Sequence, residues 1–231
     1  MKTLQFILVC AGVTALLLGI SALFQHLLRK NVRRVSTAKS LTILAMSGAL
    51  AGILMLLELP LVFLAPSFYK LDLSELPALI CAFYLGPVAG VLTELLKIGL
   101  KLLLKGTTTA YVGELANFVV GCMLVVPASV VYHAKKTRGF AALGLGIGTL
   151  CMTGFGTVFN AVYLLPAFSE LFSLPLDSIV AMGTAVWSGV HDVTSFVVLC
   201  VAPLNLVKGI LLTVLTLLLY KRIEKAVFQR L

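Results

Sequence analysis

Charged residues are scarce in this sequence. They make up 12% of the 231 residues, against roughly 25% in soluble domains, while apolar residues reach 60%. That balance excludes an ordinary soluble domain. The apolar residues form long runs, each near the ~20 residues that cross a bilayer as a helix, and not the short alternating segments of a β-barrel. The sequence therefore predicts an all-α integral membrane protein.

Acidic residues are scarcer than basic ones: the sequence has 9 Asp and Glu against 18 Lys and Arg, so the net charge is +9. Twelve basic residues follow the first or fifth apolar segment or lie at the C-terminus, which one topology places on a single side of the membrane. The positive-inside rule makes that side cytoplasmic. We expect a cytoplasmic C-terminus, contact with membrane lipid and no nucleic-acid partner. The twelve are Arg29, Lys30, Arg33, Arg34, Lys39, Lys135, Lys136, Arg138, Lys221, Arg222, Lys225 and Arg230.

Motifs of catalysis and metal binding are also missing. The sequence contains no GxSxG, no HExxH, no Walker loop and no paired aspartates of the kind that hold a catalytic metal. Its five cysteines are scattered singly and form no CxxC pair. We expect no enzymatic activity, no metal and no cofactor. Transport driven by ATP would need another subunit to hydrolyse it.

Seven apolar segments organise the chain. Gly86-Pro87 separates the third from the fourth, and since proline breaks or kinks a helix, a hairpin is favoured over one bent helix. The last segment is long for one span, which predicts a kink at Pro203 or a re-entrant start near Trp187–Asp192. A basic run follows the first segment directly, which favours an uncleaved anchor over a signal peptide. The segments are Leu4–Leu28, Leu41–Leu64, Leu76–Leu85, Val88–Leu104, Val112–Tyr132, Ala141–Phe168 and Val190–Tyr220.

Polar residues inside the later segments are candidate ligand contacts. A charge at a helix centre costs about 2.5–3.5 kcal/mol on insertion scales, so such groups usually face a cavity or a partner. Asn160 lies within the sixth segment, and Asn205 and Lys208 share a helix face beyond Pro203. They can offer donors and acceptors to a planar heterocycle. The alternative is an inter-helix hydrogen bond and a snorkelling lysine.

The fourth and fifth segments carry further candidates. Lys97, Lys101 and Lys105 recur every four residues and share one helix face. Lys97 lies three residues after Glu94, so it either forms a structural ion pair or faces a ligand edge. On the fifth segment, Asn117 either contacts a ligand or bridges two helices. Glu114 can accept hydrogen bonds from ligand hydroxyls, or it is an exposed acid at a loop end.

Two short stretches complete the set. Leu71–Pro77 alternates apolar and polar residues, with Ser74 expected to cap the following helix, and a loop there can act as a lid. In the second segment, small residues recur every four positions and predict close helix packing. Packing inside the bundle is favoured over a docking surface for a partner. The two registers are Ala45 with Ala49 and Gly48 with Gly52.

From Leu41 to its C-terminus the chain resembles the S components of energy-coupling factor (ECF) vitamin transporters, in particular the riboflavin-specific ones. The resemblance implies a six-helix membrane bundle, here residues 40–231, preceded by an extra transmembrane helix and basic linker in residues 1–39. The loop Phe168–Val190 is longer than the family leads us to expect. The resemblance rests, in order, on Leu71-Asp72-Leu73-Ser74-Glu75-Leu76-Pro77, Gly86-Pro87-Val88-Ala89-Gly90, Lys97, Gly113-Glu114-Leu115-Ala116-Asn117-Phe118, Asn160 with Leu164-Leu165-Pro166, and Pro203-Leu204-Asn205-Leu206-Val207-Lys208-Gly209.

The resemblance also implies a function and site roles. The chain would be the high-affinity riboflavin-binding subunit of an importer in a bacterial cell membrane; the alternative is another vitamin or flavin, such as FMN, folate or thiamine. Ala45 and Ala49 would dock on a transmembrane coupling subunit that connects to two cytoplasmic ATPases. Asn160, Asn205 and Lys208 would hydrogen-bond the isoalloxazine ring, Asn117, Glu114, Leu71 and Asp72 would line or close over the ribityl side, and Lys97 would lie near a polar ligand edge.

Overall fold

The computed structural model describes residues 3–33 and 35–230, with backbone alone for residues 3–7. Arg34 of the predicted basic run lies outside the described residues. Five stretches are long and apolar enough to cross a membrane, which confirms the all-α membrane fold. The helices are α1 (Thr3–Leu27), α2 (Thr37–Leu56), α3 (Glu75–Leu85), α4 (Pro87–Lys105), α5 (Val112–Ala134), α6 (Arg138–Phe159), α7 (Leu165–Phe172), α8 (Leu176–Thr184), α9 (Val193–Phe196) and α10 (Ala202–Ile223).

The turn between α3 and α4 is a tight hairpin, as the sequence predicts. Gly86 has a φ of 108°, a conformation that residues with a Cβ rarely adopt, and Pro87 opens α4 where its missing N–H costs nothing. Further along α4, a methyl group on Gly90 would lie 2.8 Å from the Cβ of Ala82 on α3. The two helices therefore fold back on each other at close range.

Two π-helical turns interrupt the long sixth and seventh segments. One covers Asn160–Leu164 and the other Val197–Val201, and a proline follows each at the start of the next helix. Proline donates no hydrogen bond and crowds the preceding turn, which explains why the helix widens ahead of it. The expected kink at Pro203 thus takes the form of a π turn. The last helix begins at Val193 with a capping box of Asp192 and Ser195, and the alternative of a re-entrant start stays a prediction.

The second helix is shorter than predicted. It ends at Leu56, eight residues before the predicted Leu64. Pro60 disfavours helical backbone at the residue before it, which ends the helix early although the sequence stays apolar. The chain instead forms a loop over residues 57–74 with an antiparallel pair of two-residue strands, β1 (Leu59–Pro60) and β2 (Lys70–Leu71). This loop covers the end of the bundle where the candidate site lies.

The extra helix α1 is attached to the bundle at one end by two side chains. The Oε1 of Gln25 accepts a hydrogen bond from the backbone N–H of Val88 at 3.2 Å. The Nδ2 of Asn31 donates to the carbonyl of His133, the second-last residue of α5, at 2.9 Å. Elsewhere α1 buries Leu17 and Ser21 and exposes an apolar face, as expected for a helix in contact with lipid.

The two small-residue registers of α2 face different ways. A methyl group on Gly48 or Gly52 would collide with Leu96 or Leu100 of α4 at about 3 Å, so this register packs inside the bundle. Ala45 and Ala49, on the neighbouring face of α2, are exposed. The expected internal packing therefore holds for the glycines and not for the alanines.

Candidate functional site

A cavity of about 300 Å³ lies under the loop of residues 57–74. Its size is at the lower end of the range for small-molecule pockets. The loop, the end of α4, the start of α5, the first π turn and α10 enclose it, and Phe168, Leu164 and Leu204 give it apolar walls. Seven of the eight predicted binding residues line it. These are Leu71, Asp72, Glu114, Asn117, Asn160, Asn205 and Lys208.

Asn160 is held in place by a neighbour that the sequence did not single out. The hydroxyl of Tyr69 donates to Asn160 Oδ1 at 2.6 Å, and Asn160 Nδ2 donates to the carbonyl of Gly156 at 2.7 Å. The π turn begins at Asn160, where irregular helix geometry often marks functional positions. One lone pair of Oδ1 and one N–H of Nδ2 remain for a ligand.

Two other carboxamides have buried atoms without hydrogen-bond partners among the residues described. They are the Nδ2 of Asn205, a donor, and the Oδ1 of Asn117, an acceptor. A methyl group on Gly156 would lie 2.7 Å from Asn205 Nδ2, so glycine makes room for this amide. An unpaired buried polar group costs about 1–3 kcal/mol, and a ligand that satisfies both groups would recover that cost.

Lys208 projects to the cavity from α10 and is held by two carboxylates. Its Nζ lies 3.2 Å from Asp72 Oδ2 and 2.8 Å from Glu75 Oε1. Ser74 does not cap α3 with its side chain, contrary to the sequence-based expectation; its N–H, at 2.8 Å, and its hydroxyl donate to Asp72 instead. Burial alone would raise the pKa of Asp72, but the charges of Lys208 and Lys97 and the bonds from Ser74 outweigh burial and lower it.

Lys97 does not line the cavity. Its side chain is fully buried behind the wall, where Nζ lies 3.2 Å from Glu75 Oε1 and 2.5 Å from Glu94 Oε2. The contact between Lys97 and Glu94 that the spacing allowed is therefore formed. Glu75, which contacts both lysines, was missed by the sequence argument. Its signal was a second acid three residues after Asp72, at the first turn of an apolar helix.

The other two lysines of α4 lie nearer the mouth. Lys101 forms an ion pair with Glu114, which also accepts hydrogen bonds from Thr107 at 3.0 Å and Thr109 at 2.9 Å. Lys105 forms an ion pair with Glu58. The exposed fraction of the lysine side chain rises from 0% at Lys97 through 14% to 44% at Lys105. The shared lysine face thus runs from the core to the surface.

Glu58 also ties the covering loop together. Its Oε1 lies 3.1 Å from Lys70 Nζ in strand β2, in addition to the contact with Lys105 at the end of α4. Partial burial would raise the pKa of Glu58, but the hydrogen bonds and charges of Lys105 and Lys70 prevail and lower it. Because the carboxylate stays ionised, it links the loop to α4 at neutral pH.

Comparison with known proteins places the chain among membrane transport components. The profile of the family described as ECF transporter, substrate-specific component matches residues 39–220. The Riboflavin transporter FmnP of Bacillus subtilis is 31% identical over 193 residues, which cover 83% of this chain and 95% of the relative. The Riboflavin transporter RibU of Staphylococcus aureus is 30% identical over 185 residues, covering 80% of this chain and 90% of the relative.

A solved structure agrees with these relatives. The S component of a bacterial ECF transporter superposes with a TM-score of 0.64 at 29% sequence identity. The superposition covers 82% of this chain and 98% of the other. The similarity thus extends over the entire bundle of that protein.

Proposed function

The chain belongs to the ECF transporter substrate-specific component family, and from this premise we propose that it is the riboflavin-binding subunit of an ECF-type importer. It is a multi-pass membrane protein and a transport component, not an enzyme. Two relatives over most of its length are named riboflavin transporters. The observation that carries the proposal is the cavity, whose apolar walls adjoin two unsatisfied carboxamides and one lysine.

The cavity chemistry suits a flat heterocycle with a polyol chain. The apolar walls take the ring, while Asn160, Asn205 and Lys208 supply hydrogen bonds to its heteroatoms. Asn117, Glu114 and the loop at Leu71–Asp72 then meet the hydroxyl groups. Lys97 acts indirectly, through the carboxylate of Glu75 that it shares with Lys208.

The exposed face of α2 is the proposed docking surface. Ala45 and Ala49 leave the helix backbone open to close approach by another helix. Its partner is the transmembrane coupling subunit, which connects to two cytoplasmic ATPases. The basic residues after the first and fifth apolar segments and at the C-terminal end support a cytoplasmic C-terminus in a bacterial cell, with the cavity opening to the outside.

A fluorescence titration tests the ligand. Protein purified in detergent is titrated into riboflavin, and quenching of flavin fluorescence is followed. We expect saturable one-to-one binding, and a loss of roughly tenfold or more in affinity for Asn205→Ala and Lys208→Ala, because each removes a buried hydrogen bond. Gln229→Ala and Lys225→Ala, matched substitutions near the C-terminus, should bind like the wild type.

Two results would contradict the proposal. Wild-type affinity in both cavity variants would show that the site residues are wrong. A monodisperse protein that does not bind riboflavin would show that the ligand assignment is wrong. A competition screen with FMN, folate and thiamine would then identify the vitamin.

A further inference from the structure

Five charged side chains form a continuous row from the cavity wall into the protein core, with alternating sign. Lys208 Nζ lies 3.2 Å from Asp72 Oδ2 and 2.8 Å from Glu75 Oε1. Lys97 Nζ lies 3.2 Å from the same Glu75 oxygen and 2.5 Å from Glu94 Oε2. We call this set the buried charge row. Its order is Asp72, Lys208, Glu75, Lys97, Glu94.

The buried charge row has one carboxylate too many. Three acids face two lysines, so with every group ionised the row carries one net negative charge. Lys97 and Glu94 are 0% exposed and Glu75 is 1% exposed. The Oε1 of Glu94 and the Oε2 of Glu75 are buried and lack a hydrogen-bond partner in the described part of the chain. An unbalanced charge in such surroundings is normally removed by neutralising one group.

Glu94 is the acid that its surroundings stabilise least as an anion. Glu75 contacts both lysines, and Asp72 contacts Lys208 and receives two hydrogen bonds from Ser74. Among the described cations, Glu94 contacts Lys97 and no other. Glu94, at the inner end of the row, therefore contacts one lysine where Glu75 contacts two.

Among the residues that the structure describes, the helices packed around Glu94 supply no cation besides Lys97 and Lys208. On α5 it meets Gly121, with the thiol of Cys122 nearby. On α2, Gly48 and Gly52 pack against Leu96 and Leu100 of α4. On α1, the apolar Leu17 and the thiol of Cys10 belong to the adjoining core. The remaining charged groups that face Glu94 are Glu75 on α3, Lys97 on α4 and Lys208 on α10.

We propose that Glu94 binds a proton and is a neutral carboxylic acid in the resting protein, so that the buried charge row carries no net charge. When the acid ionises, its proton passes to solvent and the new carboxylate attracts Lys97. Glu75 then keeps a weaker hold on Lys97 and a stronger one on Lys208. The stronger attraction to Glu75 withdraws Lys208 from the ligand. Riboflavin binding is therefore weaker at high pH, a consequence that rests on the function proposed above.

The stability of the ligand-free protein tests the proton site by itself. The folded state holds a proton that an unfolded glutamate has released above about pH 4.3, so wild-type stability should fall as the pH rises from about 4.3 until Glu94 itself ionises. Glu94→Gln should remove that fall and, because Gln needs no proton, should melt at least as high as the wild type at pH 6. Glu75→Gln, the matched change at the carboxylate that contacts both lysines, should melt markedly lower and retain the fall. Equal pH dependence in the wild type and Glu94→Gln would overturn the proposal.

A spectroscopic measurement on the wild type does not depend on the variants folding. Infrared spectra should show the carbonyl stretch of a protonated carboxylic acid at pH 6, and its intensity should decrease as the pH rises to 9. A spectrum without such a band at pH 6 would overturn the proposal. Where Glu94→Gln folds, it should lack the band.

Ligand binding tests the link to the cavity. Riboflavin affinity of the wild type should fall roughly tenfold between pH 6 and 9, about the effect of one charge-assisted hydrogen bond, and Glu94→Gln should bind equally well at both. A wild-type affinity that ignores pH would refute the link. Absence of riboflavin binding at any pH would refute the proposed function instead, while the melting and infrared results would still decide the proton site.

Discussion

The inner and outer ion pairs of α4 use the same types of side chain, lysine and glutamate, at different depths. Lys97 and Lys105 lie two turns apart on one face of α4, and each contacts glutamate. Lys97 is fully buried, whereas 44% of the Lys105 side chain is exposed. Charges buried without water depend on their partners, while exposed charges exchange a partner for solvent at little cost. Lysines that recur every four residues on one helix therefore form pairs of unequal importance.

The largest expected effect comes from breaking the inner pair. Lys97→Met removes a cation that Glu75 contacts in the core and leaves an unbalanced buried charge, and it should lower the free energy of unfolding by about 3–5 kcal/mol. Lys105→Met, with the same change of shape at the exposed end, is the control and should cost about 0–1 kcal/mol. Denaturant titration in detergent measures both. Equal costs would show that depth does not distinguish the two pairs.

An intermediate effect is expected at acid pH. The lowered pKa of Asp72 means that its stabilising contribution is complete above its ordinary value of about 3.9 and is lost as the pH falls through the lower folded value. Between pH 6 and 3 the wild type should lose about 1 kcal/mol more than Asp72→Asn, since one titrating group changes stability by at most about 1.4 kcal/mol per pH unit below its unfolded pKa. Thermal melts over that range give the difference. Parallel curves for the two proteins would contradict the assignment.

The smallest effect concerns the outer pair and depends on salt. Lys105→Ala should reduce stability by no more than about 1 kcal/mol at low ionic strength, because Lys70 still holds Glu58. At about 1 M salt the Debye length falls to about 3 Å, so the wild type and the variant should become indistinguishable. Melts at two salt concentrations measure this. A gap that persists at high salt would show that the outer pair behaves like a buried one.

Local residue patterns predicted most of the helices, and seven of the eight predicted binding residues line the cavity. Gly86-Pro87 marked the hairpin because the constraints of glycine and proline act within two residues. Asn160, Asn205 and Lys208 stood out because polar groups are rare in apolar runs. The roles assigned to them stay predictions until binding is measured.

Other features depended on contacts between distant parts of the chain. Tyr69 and Asn160 are 91 residues apart, and Lys208 and Glu75 are 133 apart, so no local pattern joins them. The early end of α2 was missed because hydropathy continues past Leu56 while the backbone turns away ahead of Pro60.

The sequence by itself determined that the protein lies in a lipid bilayer, that its fold is all-α, and which polar residues need a partner. Composition and apolar run length decide these, since both depend only on which residues follow one another. Tertiary structure alone decided which partner each polar group obtained. It placed Lys97 behind the wall and Lys208 at the cavity, made Glu75 their common carboxylate, and turned Ala45 outward while Gly48 packed inward. The physical reason is that burial and charge pairing are set by how the helices pack around one another, which spacing along any single helix does not specify.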